Sequence, residues 1–186
     1  PSPASAVLSG TLIKAGLLGW LRFLPLGEAA FPTLGGLLVV LGLAGAFLAV
    51  AVGLPQQRAK VVLAYSSVSQ MGWLALAVGL GLAVPQRWAA LEPAVALFAL
   101  HHGLAKGALF LAAGSTPRVA PGLGRWAALA GLVLPALALM GLPGTTGGAA
   151  KEALKEAAYG TAGLPVGAWL AWASAATTLI TARAVY

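Results

Sequence analysis

Apolar runs of about 20 residues recur from one end of this sequence to the other, the length an α-helix needs to cross the ~30 Å hydrocarbon core of a bilayer. Six such runs are separated by short segments rich in Pro, Gly and Arg. With 60% hydrophobic and 8% charged residues among 186, and a mean hydropathy of +0.91, the chain has far more apolar surface than a soluble domain of its size buries. In hydrocarbon every backbone N–H and C=O must be satisfied within the protein, so the runs are expected as helices. The expected architecture is all-α: a polytopic membrane helix bundle of about six transmembrane helices, with residues 1–186 as a single transmembrane domain.

Taken in order, the first run covers Ala4 to Leu24, with Lys14 at its midpoint and Trp20 and Arg22 as an interface anchor at its end. Lys14 stands where a cleavable signal would be uniformly apolar, so no signal peptide is expected. The chain starts at Pro1 without a Met, as expected of a trimmed start or of a segment of a longer protein. The second run, Leu34 to Leu54, has no ionisable residue, and Gly35, Gly42, Gly45 and Gly53 suit close packing against a neighbour. A basic loop, Pro55 to Lys60, precedes the third run, Val61 to Val84, whose first half carries Tyr65, Ser66, Ser67, Ser69 and Gln70. The plainer reading of these is polar glue between helices; the functional one is that they hold water.

A loop from Pro85 to Leu91 leads to the fourth run, Ala94 to Gly114, with His101, His102 and Lys106 at its centre. After a Pro/Gly-rich basic loop, Ser115 to Arg125, the fifth run is interrupted. Trp126 to Met140 is apolar, Gly141 to Gly148 breaks the pattern, and Ala149 to Tyr159 resumes with Lys151, Glu152, Lys155 and Glu156. Pro135 and Pro143 together with Gly141, Gly144, Gly147 and Gly148 are incompatible with an unbroken helix. Discontinuous helices occur at membrane depth where they line protein or a water-filled cavity; the plainer alternative is a loop followed by an amphipathic helix. A last run, Ala162 to Ala182, ends near Arg183 and Tyr186.

A Lys at the centre of a membrane helix costs ~2.5–3.5 kcal/mol on insertion scales, so Lys14 and Lys106 are expected to face a bundle interior or a hydrated path. His102 and Lys106 lie four residues apart, on one helical face and one turn from each other, close enough to pass a proton directly or through water. Arg58, Lys60, Arg118, Arg125 and Arg183 fall at one membrane face and Arg22 and Arg87 at the other, which places both termini in the cytoplasm or its equivalent. The net charge of +7 is scattered singly through loops and apolar runs, with no cluster of the kind that binds nucleic acid. Without cysteine there is neither disulfide nor thiolate metal site, and two histidines alone do not build a metal centre. No cofactor motif is present, so redox chemistry is not expected in this chain.

Lys60-Val-Val-Leu-Ala-Tyr-Ser-Ser-Val-Ser-Gln-Met-Gly72 resembles the "KRxLAYSSxSQxG" segment of the antiporter-like subunits of respiratory complex I and of Mrp-type cation/proton antiporters. Leu100-His-His-Gly-Leu-Ala-Lys-Gly-Ala-Leu-Phe-Leu111 is similar to their "HxxxKAxLFL" helix. Met140-Gly-Leu-Pro-Gly-Thr-Thr-Gly-Gly-Ala-Ala-Lys151 resembles their broken helix, patterned "GxPxxxGFxxK/E". Ser5 to Phe23, with Thr11-Leu-Ile-Lys-Ala-Gly16, looks like the helix that carries their bridging Lys or His. The four matches occur in the family's order over nearly the whole chain.

The resemblance implies roles. Lys14 matches the position that hands protons laterally, His102 and Lys106 match the central polar axis, and Lys151 matches the Lys/Glu of the broken helix where the half-channel exits. His101, Ser66, Ser69, Gln70 and Lys155 are expected to form a secondary polar path. Two departures stand out: only the second of the family's two inverted five-helix repeats, with a flanking helix, has a counterpart, and the aromatic of the broken helix is replaced by Gly148-Ala149-Ala150. The expectation is a proton-translocating subunit of a complex I-like or Mrp-like assembly, with Na⁺ as the other candidate ion. Its partners would be other membrane subunits and the lipid of a bacterial or archaeal inner membrane or an organelle equivalent. The alternatives are a subunit of an inorganic-carbon uptake complex or membrane-bound hydrogenase, or a structural scaffold with a degenerate path.

Overall fold

A computed structural model describes residues 2–115, 122–159 and 166–185. Pro1, Tyr186, most of the expected loop between Ser115 and Arg125 with its Arg118, and the start of the expected last run lie outside the described residues. Seven helices follow in order: α1 (Ser2–Phe23), α2 (Pro32–Gly53), α3 (Ala59–Ala83), α4 (Trp88–Ser115), α5 (Leu123–Met140), α6 (Thr146–Ala158) and α7 (Val166–Val185). Among the described residues there is no strand. Five helices, α1 to α5, are long and apolar enough to cross a membrane. The expected sixth crossing corresponds to α7, which does not meet that measure over its described residues and carries Ser174, Thr177, Thr178, Thr181 and Arg183.

α3 is the centre of the bundle. It packs along α2 more extensively than any other pair of helices meet, and touches α4 and α7 on its other sides. The α2–α3 seam runs antiparallel with glycine opposite glycine, since a Cβ on Gly42 would stand 2.6 Å from the Gly72 carbonyl oxygen and one on Gly79 2.7 Å from that of Gly35. The backbones therefore touch directly, an arrangement that favours small residues where lipid supplies no hydrophobic drive for helix association. Gly45, expected in the same seam, has nothing within 4 Å of its Cβ position. The buried positions of α2 recur as Gly35, Val39, Gly42, Ala46, Ala49 and Gly53, and Gly45 falls outside that pattern. Outward faces carry apolar side chains such as Val40, Leu41, Leu48, Leu100, Leu104 and Leu134, fitting a lipid environment.

The interruption falls where Gly141 to Gly148 predicted it, although Pro135 does not contribute. Pro135 sits inside α5, which continues to Met140. It costs the helix one backbone bond, and membrane helices accept that when neighbouring helices pack around the ring. α5 ends when Gly141 takes a left-handed conformation (φ 86°), with Gly141 N donating to Ala138 O at 3.0 Å and Leu142 N to Leu137 O at 3.2 Å. α6 opens on Thr145, whose hydroxyl accepts from Gly148 N at 3.1 Å. At 13 residues, ~20 Å, α6 is too short to span alone. The loop expected over Pro85 to Leu91 is instead one 3₁₀ turn, Pro85–Arg87, and α4 starts directly at Trp88 with Pro93 in its second turn.

Candidate functional site: a lysine-centred polar axis

Lys106 is the largest of the fully buried side chains, with no exposed area. Its Nζ donates to Leu63 O on α3 at 2.8 Å and to the Ser66 hydroxyl. The Ser66 and Ser67 hydroxyls donate back along α3 to the same Leu63 oxygen, at 3.0 and 3.1 Å. No carboxylate takes part: among the described residues the one ion pair is Lys155 with Glu152, at 3.5 Å on the exposed side of α6. The ammonium group is thus held wholly by neutral oxygens.

Toward the start of the chain, α1 contains a π-helical segment, Leu8–Leu12. Ile13 N reaches back to Leu8 O at 3.1 Å, past the Ser9 carbonyl it would meet in an α-helix, and that carbonyl accepts Lys14 Nζ at 2.8 Å. Lys14 is half-buried in a groove of about 370 Å³ between α1 and α4, beside Gly10, Thr11, Gly103 and Leu104. The Ser9 hydroxyl bonds to that of Ser67 on α3. Lys14 lies within electrostatic reach of both His102 and Lys106.

On the other side of Lys106 the α3 and α4 faces run antiparallel. Ser66 meets Lys106, and Trp73 and Phe98 line one cavity, so His102, between Phe98 and Lys106, is level with Ser69 and Gln70. His102 is fully buried, and neither ring nitrogen has a hydrogen-bond partner. The expected His102–Lys106 contact is not made, because Lys106 extends toward α3. Gln70 Nε2 donates to the Thr177 hydroxyl of α7 at 2.7 Å, while the buried Ser69 hydroxyl is unpartnered.

The cavity beyond, about 310 Å³, is lined by Gln70, Trp73, Phe98, Lys151, Ser174 and Thr177. Lys151 and Ser174 also line a second cavity of about 610 Å³ around the break, with Pro143 and Thr145. Lys151 is half-buried, and its Nζ donates to Met140 O at 2.7 Å, a carbonyl at the end of α5. The break therefore frees acceptors for the lysine as well as opening space beside it. His101 takes a separate position, its Nδ1 bonded to the Thr146 hydroxyl at 2.9 Å at the start of α6. Lys155 borders the first cavity from the exposed face.

None of Lys14, His102, Lys106 and Lys151 is exposed on the outside of the bundle. No hydrogen bond joins any two of them: Lys14 bonds to Ser9 O, Lys106 to Leu63 O and the Ser66 hydroxyl, and Lys151 to Met140 O. Ser9, Thr146, Ser174 and Thr177 were not singled out from sequence, and Ser67 was noted only as part of a polar stretch. Ser66, Ser69, Gln70 and Trp73 follow a helical i, i+3, i+4, i+7 stripe on α3, and that stripe is the signal by which sequence points to the lining.

The family model "NADH:quinone oxidoreductase/Mrp antiporter, TM" matches residues 1–181. NADH-ubiquinone oxidoreductase chain 5 of Metridium senile is 32% identical over 96% of this chain and 30% of that protein; the Allomyces macrogynus protein of the same name is 36% identical over 98% and 28%. Hydrogenase-4 component B of Escherichia coli (strain K12) is 37% identical over 62% of this chain and 18% of its own length. A chain in the structure of the Mrp complex from Dietzia sp. DQ12-45-1b superposes on the whole of this chain and 22% of itself, with a TM-score of 0.84 and 27% identity. This chain spans less than a third of each of these relatives.

Proposed function

Since the chain belongs to the NADH:quinone oxidoreductase/Mrp antiporter transmembrane family, we propose that it translocates protons as part of a membrane subunit in a multi-subunit, complex I-like or Mrp-like assembly. The observation that carries this reading is Lys106: a fully buried amine whose hydrogen bonds all go to neutral oxygens. Losing or gaining its proton breaks no ion pair, and burial together with neighbouring charge controls how readily a lysine does so. Lys14 on one side and Lys151 on the other are the groups it would exchange with, through the serine cluster and through His102 and the Gln70 cavity respectively. Lys151 lies beside the larger cavity at the helix break, which supports it as the group through which the proton leaves.

The likeness to hydrogenase-4 component B favours a second assembly of the same kind, a membrane-bound hydrogenase, in which this segment would do the same work under a different driving reaction. The basic residues support a cytoplasmic or equivalent side for both ends. Lys60 Nζ donates to the Ser2 hydroxyl and Arg183 to Gln56 O, gathering these charges at one end of the bundle, whereas Arg87 donates to Tyr159 O at the other.

The test is to reconstitute the whole assembly in vesicles and measure proton uptake alongside the driving reaction. Lys106→Ala is expected to abolish pumping while all subunits remain in place. Lys106→Arg is expected to fail as well, since a guanidinium does not release its proton at physiological pH. Wild-type pumping by both variants would defeat the reading in favour of a scaffold, and Na⁺ uptake driven by the reaction without net proton uptake would replace the proton by sodium.

A further inference from the structure

We propose that His101 is a positioning residue: through its bond to Thr146 it fixes where α6 begins, and so holds Lys151 against the carbonyl at the end of α5. The inference rests on the proton-translocation reading above, and gives His101 a part in it other than carrying the proton.

Three helices meet at the break. His101 follows Leu100 into the middle of α4, and its Nδ1 is bonded to the Thr146 hydroxyl, on the first residue of α6, at 2.9 Å. The imidazole also lies against the next residue of α6, since a Cβ on Gly147 would stand 2.7 Å from His101 Nε2 and would collide with the Ala138 carbonyl of α5. Glycine at 147 thus lets the start of α6 enter the angle between α4 and the last turn of α5, and the bond to Thr146 ties it there. The two threonines of the break divide the work. Thr145 caps α6, accepting from Gly148 N at 3.1 Å and donating to Leu142 O at 2.7 Å, so both of its bonds stay within the break. Thr146 is the one that reaches across to α4.

Lys151 sits on the second turn of the helix so anchored. Its Nζ donates to Met140 O at 2.7 Å, and its stem lies beside Gly141, where a Cβ would stand 2.7 Å from Lys151 Cδ. Gly141 and Gly144 take positive φ between these two points, and such backbone by itself leaves the start of α6 a wide choice of positions. A tether on the first residue of α6 removes that choice. As a proton carrier His101 is poorly placed: its Nε2 is buried without a partner, and neither ring nitrogen bonds to His102, Lys106 or Lys151.

His101→Asn and His101→Leu are the decisive pair in the complete assembly. Asn offers an amide oxygen or nitrogen near the place of Nδ1 and does not titrate, whereas Leu fills the site without a hydrogen bond. His101→Leu is expected to slow proton translocation by ~10²-fold, the cost of a misplacement of about 1 Å, and His101→Asn to run near the wild-type rate. From the other end of the bond, Thr146→Val should be slow and Thr146→Ser near normal. Joining Thr146→Val to His101→Leu should slow translocation no further than either alone, because both remove one bond. Rates are compared at equal subunit content, and if His101→Leu does not assemble the Thr146 pair decides by the same rule. His101→Asn as slow as His101→Leu overturns the proposal, because a titrating imidazole would then be what matters; so does a normal rate in His101→Leu or Thr146→Val. If that occurs while Lys106→Ala still stops pumping, the positioning role alone falls; if Lys106→Ala pumps normally, the translocation reading has failed as well.

Discussion

Replacing Lys106 by Met separates a structural from a conducting role, because the structure predicts that the two readouts part company. Met keeps an unbranched, flexible stem of similar length and fills the same space. What is lost is two hydrogen bonds from a charged donor, worth about 1.5–3 kcal/mol each. Relieved in exchange is the desolvation of a fully buried ammonium with no counter-ion, several kcal/mol in real proteins. No acceptor is orphaned, because Leu63 O keeps the Ser66 and Ser67 hydroxyls. The terms cancel to within about 2 kcal/mol, so the thermal midpoint and subunit content of the purified assembly should stay near wild type. Proton translocation, measured with a pH-sensitive dye in vesicles, should disappear. Disassembly of the Lys106→Met complex, or a loss beyond the ~3–5 kcal/mol typical of breaking a buried ion pair, would show that this balance is wrong and that Lys106 is a strut.

Two further outcomes test the packing and the axis independently. Gly42→Val places a Cβ 2.6 Å from Gly72 O and 2.8 Å from Leu76 N, so α2 and α3 must part; a cost of at least ~1–3 kcal/mol is expected in thermal unfolding, against less than ~0.5 kcal/mol for Gly45→Val, which meets nothing within 4 Å. His102→Leu removes two buried nitrogens that have no partner, so stability should hold or rise by ~1–3 kcal/mol while translocation slows; a marked loss of stability would show that His102 is hydrogen-bonded in the working assembly.

The parts of this molecule that sequence made legible are those whose cost is local to one segment. The price of inserting Lys14 or Lys106 into hydrocarbon does not depend on which helix lies alongside, so their inward placement follows from the run that contains them. The Gly141 to Gly148 interruption is equally local, since left-handed φ at Gly141 and Gly144 ends a helix wherever it is placed. Pro135 was overcounted for the converse reason: whether a proline breaks a membrane helix depends on what packs against it, and α5 continues through it.

Partners are a different kind of information. A four-residue spacing places His102 on the same face as Lys106 but does not decide where a long, flexible amine ends. That is settled by α3, which offers Leu63 O and Ser66 at bonding distance, and Lys106 crosses to them rather than running back along its own helix to His102. Ser9 shows the same limit more sharply. Val7-Leu-Ser-Gly-Thr-Leu-Ile-Lys14 reads as ordinary helix, and nothing in its apolar pattern announces the π turn. Yet one shifted backbone bond, Ile13 N to Leu8 O, leaves Ser9 O for Lys14, in the same residue whose hydroxyl meets Ser67. The contacts of Ser9 with Lys14 and with Ser67 thus depend on backbone register in α1 and on its docking against α3, neither of which hydropathy encodes.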